Sequence, residues 1–213
     1  MLWKKKTSPQ RTALASFPKS GNTWLRILLE KATGKTSGSV YTDRVYTRTT
    51  LEGVVTKTHE LEYRDYNKAI HLIRNPFDVV DSYFHHKQKM DGLQDLNWSD
   101  HLQTTTSDWK AHTAYWMEAP LPTLIVRYED LKRDTVFQVK LITRFLGLDC
   151  SFDQIAEAVE QTTLEKMRKE NPEYGDKFFR SGQIGKGIER FSSEEREIVR
   201  QSLHEYLSAL GYA

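Results

Sequence analysis

Cysteine is almost missing from this chain. Cys150 is the one cysteine among 213 residues, so no internal disulfide and no cysteine-based zinc cluster can form, and a reducing compartment fits. Long apolar runs are missing as well. Nothing approaches the ~18 apolar residues of a membrane span, and Met1-Leu2-Trp3-Lys4-Lys5-Lys6 leads into no signal-peptide core. The simple expectation is a soluble, cytoplasmic protein. Neither charge dominates: Lys+Arg number 31 and Asp+Glu 29, a formal net charge of +2, so nothing resembles a generally basic nucleic-acid binder. Repeats and low-complexity linkers are absent. No pair of histidines has zinc-ligand spacing with supporting carboxylates, so no metal is expected.

What is present is enough for one core. A hydrophobic content of 38% over this length predicts a single domain spanning 1–213, with 1–10 as a tail. Basicity is local. Lys4, Lys5, Lys6, Arg11, Lys19, Arg26, Lys31 and Lys35 face one acid, Glu30, in the first 35 residues, which favours an anionic ligand near that end.

The stretch Ser16-Phe17-Pro18-Lys19-Ser20-Gly21-Asn22-Thr23-Trp24-Leu25 has the make-up of an anion cradle. An apolar run, 12–17, enters it as a short buried strand, and a helical pattern leaves it from Trp24. Gly21 allows close backbone approach, the N–H groups at a helix start point at an anion, and Ser20, Asn22 and Thr23 add donors beside the charge of Lys19. An ordinary strand-to-helix turn with Ser or Asn as N-cap would read similarly. Gly34-Lys35-Thr36 invites a nucleotide-loop reading, but Leu29 stands where that pattern needs glycine and the triplet follows a helix. Gly34 reads as a helix stop, and 34–50 as a loop.

Further strands are predicted at 54–57, 69–74 and 123–128. Asn75 as N-cap with Pro76 behind it opens a helix to about Lys89. Val139, Ile142, Phe145 and Leu146 mark another helix, stopped by Gly147, and Ser192 with Glu195 forms a capping box before a last one. Short apolar strands alternating with helices predict an α/β fold, a P-loop-like central parallel β-sheet flanked by helices on both faces. Ligands in such sheets sit at the carboxyl ends of strands, which gathers Lys19–Thr23, Lys57–His59, Arg74 and Tyr128 at one edge.

Arg74 at a strand end suits a bidentate phosphate contact, and Ser82 lies about two turns along the next helix. An ion pair with Asp78 or Asp81 is the plainer use of Arg74. His59, just past a strand end with Lys57 two residues before it, is placed to take a proton from a hydroxyl. His85, His86, His101, His112 and His204 read as surface or capped polar groups, and His71 as structural. Aromatics such as Tyr41, Tyr83 and Trp116 suit either an acceptor pocket or the core, and most of the set reads as core. The glycine-rich run 178–187 permits close backbone approach to an anion.

Taken together these segments resemble the sulfotransferases that use 3′-phosphoadenosine 5′-phosphosulfate (PAPS), of cytosolic type. Phe17-Pro18-Lys19-Ser20-Gly21-Asn22-Thr23-Trp24-Leu25 is similar to that family's 5′-phosphosulfate loop. Lys57-Thr58-His59 resembles its Lys-Thr-His segment, and Ile73-Arg74-Asn75-Pro76-Phe77-Asp78-Val79-Val80-Asp81-Ser82-Tyr83 its 3′-phosphate motif. Val126–Leu131, Lys169–Pro172 and Arg180-Ser181-Gly182 follow in the family's order, so the resemblance covers nearly the whole chain.

The resemblance implies roles. Ser20, Gly21, Asn22, Thr23 and the Trp24 backbone would hold the 5′-phosphate, with Lys19 on the oxygen bridging phosphorus and sulfur. Arg74, Ser82, Arg180, Ser181 and Gly182 would form the 3′-phosphate site. Trp24 and Tyr128 would contact adenine, with Thr162 and Leu164 as weaker carry-overs. His59 would be the general base, and Lys57 would neutralise the sulfuryl oxygens. PAPS is the implied donor and PAP the product. The acceptor would be a small molecule or a carbohydrate.

The sequence also departs from the pattern: Asn22 replaces Thr, Ser181 replaces Lys, Leu164 stands where an aromatic stacks, and the stretch between Trp24 and His59 is brief. Two other readings are an ATP-dependent P-loop kinase and a non-catalytic nucleotide-binding domain. Should His59 not be the base, Glu60 or Glu62 would be next.

Overall fold

The computed structural model describes residues 11–41, 53–170 and 182–212. Their centre is a sheet of five parallel strands: β1 (Thr12–Ala15), β2 (Gly38–Ser39), β3 (Thr56–Thr58), β4 (Lys68–Ile73) and β5 (Thr123–Arg127), in the order β2-β3-β1-β4-β5. The expected α/β parallel sheet is therefore the observed one. β2 lies inside the stretch read as a loop; its Gly-Ser sequence carries no strand signal.

The helices of the first half are α1 (Asn22–Thr33), α2 (Pro76–Met90) and α3 (Trp98–Met117). After β5 come α4 (Tyr128–Arg133), α5 (Thr135–Leu146), α6 (Phe152–Gln161), α7 (Leu164–Glu170), a 3-10 turn (Gly187–Arg190) and α8 (Ser193–Ala209). Their ends follow the local signals. Asn75 accepts the Phe77 N–H at 3.0 Å ahead of Pro76. Gly34 ends α1, and capping boxes open α6 and α8.

Strand alternation sorts the core onto two faces. Leu14, Ile70, Leu72 and Val126 pack with Leu25, Leu28 and Leu29 of α1, Val139 and Ile142 of α5 and Ile155 of α6. On the other face Ala13, Ala15 and Ala69 meet Trp116 of α3. Three small side chains leave room for one indole, which is fully buried; truncating such a residue costs about 3–5 kcal/mol. Phe77, Val80, Trp109, Phe191 and Leu203 extend the burial between α2, α3 and α8.

The register aligns the strand ends. Ala15 pairs with Thr58 and with His71, and Ile73 with Arg127. The strand order turns at β1, with β3 and β2 on one side and β4 and β5 on the other. Crevices at the carboxyl ends of such switch points bind ligands, and the turns after β1 and β4 carry the cradle and Arg74.

Candidate active site

The cradle is a strained turn between β1 and α1. Lys19 has φ 68°, the left-handed region in a residue with a Cβ, and Gly21 has φ 96°. A non-glycine residue held there costs on the order of 1–3 kcal/mol and needs neighbours to enforce it. Arg74 is one such neighbour, donating from Nη1 to the Lys19 carbonyl at 3.1 Å. Gly21 is required twice over, since a Cβ there would fall 2.6 Å from the Tyr128 ring. As N-cap of α1, Gly21 offers no side-chain hydrogen bond to the first turn, which leaves helix-start N–H groups for another acceptor. Ser20 Oγ is buried without a partner among the described residues, and so is Arg74 Nε. Unpartnered buried donors on both sides of a positive-φ turn fit an anionic ligand.

Asn22 corrects its expected role. Its side chain turns inward and donates to the Leu14 carbonyl at 2.9 Å and to Ser16 Oγ at 3.0 Å. The amide braces the turn from behind, so any contact with an anion falls to its backbone N–H. Thr162 also departs, because its hydroxyl donates to the Ala158 carbonyl of α6 at 2.9 Å. Arg180 and Ser181 lie outside the described residues, as do Asn171, Pro172 and the tail.

Arg74 ties together segments remote in sequence. Besides Lys19, its guanidinium donates from Nη2 to the Gln183 carbonyl at 2.9 Å and lies 4.7 Å from the Tyr128 ring centroid. The ion pair with Asp78, at 3.7 Å, exists as well. Asp78 does more than pair, accepting the N–H of Gly185 at 2.8 Å and of Gly187 at 2.7 Å. A Cβ on Gly187 would meet the Phe77 carbonyl at 2.4 Å, so only glycine lets this run lie on α2. Tyr128 donates to the Gly182 carbonyl at 3.1 Å and meets Trp24 edge-on at 5.9 Å. Ser82 is buried on α2 two turns from Asn75. Glu129 is also buried, accepting the Asn75 N–H and the Tyr212 hydroxyl. The sequence reading missed the bracing by Asp78 and Glu129; the pairing of each with a distant backbone leaves no local signal.

Across the same edge, His59 follows β3. Ser16 donates its N–H to the Thr58 carbonyl at 3.2 Å, and His59 Nδ1 lies 2.6 Å from the Ser16 carbonyl. A carbonyl has no proton to give, so Nδ1 carries the hydrogen, and whenever the ring is neutral its lone pair lies on Nε2. Lys57 is nearly buried. Lys19 donates from Nζ to His86 Nδ1 at 3.4 Å, so His86 is a capped polar group beside the cradle lysine. His101 is a capped group as expected, bonded to the Val80 carbonyl. His112 is not: it is buried at 3% exposure between Phe17 and His71, and neither ring nitrogen has a partner among the described residues. Burial, and secondarily the charge of His59, push its pKa down to about 3. His71 is driven well below the usual range by burial and by His112.

No group of histidine, cysteine and carboxylates suited to a metal occurs among the described residues. None of the described helices is long and apolar enough to cross a membrane.

Residues 9–211 match the family model described as a sulfotransferase domain. A WSCD family member of Drosophila pseudoobscura pseudoobscura is 30% identical over 161 residues, covering 65% of this chain and 51% of that protein. Sulfotransferase 6B1 of Danio rerio is 30% identical over 156 residues, covering 66% and 52%. The chain thus spans about half the length of these curated relatives. Among solved structures, mouse sulfotransferase SULT7A1 complexed with PAP superposes with a TM-score of 0.74 at 22% identity, covering 93% of this chain and 84% of that one. Retinol dehydratase in complex with androsterone and inactive cofactor PAP gives 0.71 at 19% identity, covering 94% and 82%.

Proposed function

Because the chain belongs to the sulfotransferase family, we propose that it is a PAPS-dependent sulfotransferase acting on a hydroxyl or amine of a small-molecule or carbohydrate acceptor. The observation that carries this reading is Arg74, whose guanidinium links the Lys19 turn to the glycine run after Gly182 and keeps Nε buried without a partner among the described residues. Two anion-suited places on one edge fit a nucleotide phosphorylated at two positions. PAP in the related structures supports the same donor class.

When bound, PAPS would supply the sulfuryl group on an activated phosphate. The residues of this chain then divide the work. Ser20, Gly21, Thr23 and the N–H groups of Asn22 and Trp24 hold the 5′ end; Arg74, Ser82 and Gly182, with Arg180 and Ser181, hold the 3′-phosphate; Trp24 and Tyr128 flank the base. Lys19 neutralises the charge that grows on the leaving phosphate, a contact worth about 10²–10³ in rate. Nε2 of His59 takes the acceptor proton, commonly worth about 10²–10⁴. Lys57 balances the sulfuryl oxygens. A single domain and a cytoplasmic setting belong to the same proposal, and the single buried cysteine is compatible with the latter.

Incubation with sulfur-labelled PAPS and a panel of phenols, alcohols, amines and sugars tests the activity and the acceptor together. Labelled product is expected in at least one class, with PAP released in equal amount. Absence of transfer in all of them, in protein that binds PAP, would overturn the catalytic reading in favour of a nucleotide-binding domain.

A further inference from the structure

Tyr41 stands two residues past β2, beside the end of β3. The β2–β3 ladder delivers it there, with Val40 N–H donating to the Lys57 carbonyl at 3.1 Å. Its hydroxyl is used twice. It accepts the backbone N–H of His59 at 3.1 Å and donates to Glu60 Oε1 at 2.5 Å. The ring lies nearly parallel to the His59 imidazole, with centroids 5.5 Å apart and planes at 26°. The Lys57 ammonium is 5.8 Å from the same ring centroid. One side chain therefore touches Lys57, His59 and Glu60, the three ionisable residues at the end of β3.

The consequence for His59 is geometric. Its Nδ1 edge is bonded to the Ser16 carbonyl, its backbone to the Tyr41 hydroxyl, and one face of its ring to the Tyr41 ring. Three constraints from two elements fix both the position and the rotation of the imidazole. Burial, then the bond to Glu60, raise the phenol's pKa, so the hydroxyl keeps the proton it donates. Proton transfer is steep in donor–acceptor geometry, which gives such a brace kinetic weight.

We propose that Tyr41 is a positioning residue for sulfuryl transfer, holding His59 in the orientation from which Nε2 meets the acceptor and steadying Lys57 beside it. This rests on the reading of His59 as the base. Tyr41→Phe keeps the ring and removes both hydrogen bonds; Tyr41→Ala removes the ring as well. The His59 imidazole nitrogen NMR signals are read in the PAP-bound protein, a measurement that needs no acceptor. Turnover of sulfur-labelled PAPS is read with phenol, cyclohexanol, benzylamine and glucose.

In Tyr41→Phe the His59 signals move while those of His71 and His112 stay, and kcat falls about tenfold with the PAPS KM within about twofold. Tyr41→Ala loses about a further tenfold. Unmoved His59 signals in Tyr41→Phe, or wild-type kcat in both variants, would overturn the proposal. His59→Ala is run beside them: wild-type turnover there defeats the base reading itself, whereas unmoved signals in Tyr41→Phe defeat the positioning role alone.

Discussion

The two ends of the site's edge are built from different bonds. At the Arg74 end the contacts run to main chain: Arg74 to the carbonyls of Lys19 and Gln183, Asp78 to the N–H groups of Gly185 and Gly187, Tyr128 to the Gly182 carbonyl. At the His59 end side-chain pairs join the main-chain bonds: His59 reaches the Ser16 carbonyl and gives its N–H to the Tyr41 hydroxyl, but Lys19 to His86, Tyr41 to Glu60 and the Tyr41–His59 ring stack run between side chains. Main-chain contacts survive many changes of neighbouring side chain. Side-chain contacts change with every substitution. In the proposed enzyme the first end holds the common donor and the second meets the variable acceptor, so the division of bonding follows the division of labour.

The comparison can be broken at either end. The largest effect is expected at the His59 end: His59→Ala lowers kcat about 10²–10⁴-fold while PAP affinity by calorimetry stays unchanged. A parallel loss of affinity would mean that the two ends are not separable. Lys19→Met comes next, with a loss of about 10²–10³ in kcat seen in single-turnover transfer. At the other end Arg74→Ala weakens PAP binding about 10–100-fold, from the loss of charge-assisted hydrogen bonds of ~1.5–3 kcal/mol.

Asp78→Ala acts through the fold. The buried Gly187 N–H loses its acceptor at about 1–3 kcal/mol, the Gly185 N–H loses a part-buried one, and the urea midpoint falls along with a smaller loss of PAP affinity. The smallest effect is a pH slope from His112. Its folded pKa of about 3 lies below the unfolded value, near ~6.5. Between those values the unfolded state binds a proton that the folded state refuses, so stability is full above about pH 6.5 and declines as pH falls, ~1.4 kcal/mol per pH unit at most. His71, also lowered, adds in the same sense. Urea unfolding at about pH 7 and about pH 5 reads the slope, and His112→Phe flattens it.

The same difference explains what was legible in the sequence. Gly21 in its turn, Asn75-Pro76 at a helix start and the apolar period of β1 and β4 each leave a local trace, so the parallel sheet and the place of Arg74 at a strand end are readable. β2 was not, because two residues of Gly and Ser enter the sheet only through pairing with β3. Asn22 illustrates a subtler miss. Its type suits the cradle, yet its amide faces the carbonyl of Leu14, a direction no spacing encodes. The particular partners of His86 and Tyr41 are not legible in the sequence because they lie 67 and 18 residues away. Where a residue acts through a distant side chain, only the fold reveals the pairing.

The central claim is that one edge of the sheet holds a nucleotide at two phosphate positions, with Arg74 at the second. Calorimetric titration of PAP and of ATP into the wild-type protein and into Arg74→Ala tests it most directly. The account predicts that the wild type binds PAP more tightly than ATP and that Arg74→Ala loses most of that preference. ATP binding as tight as PAP in the wild type, or a preference for PAP that survives in Arg74→Ala, would contradict it.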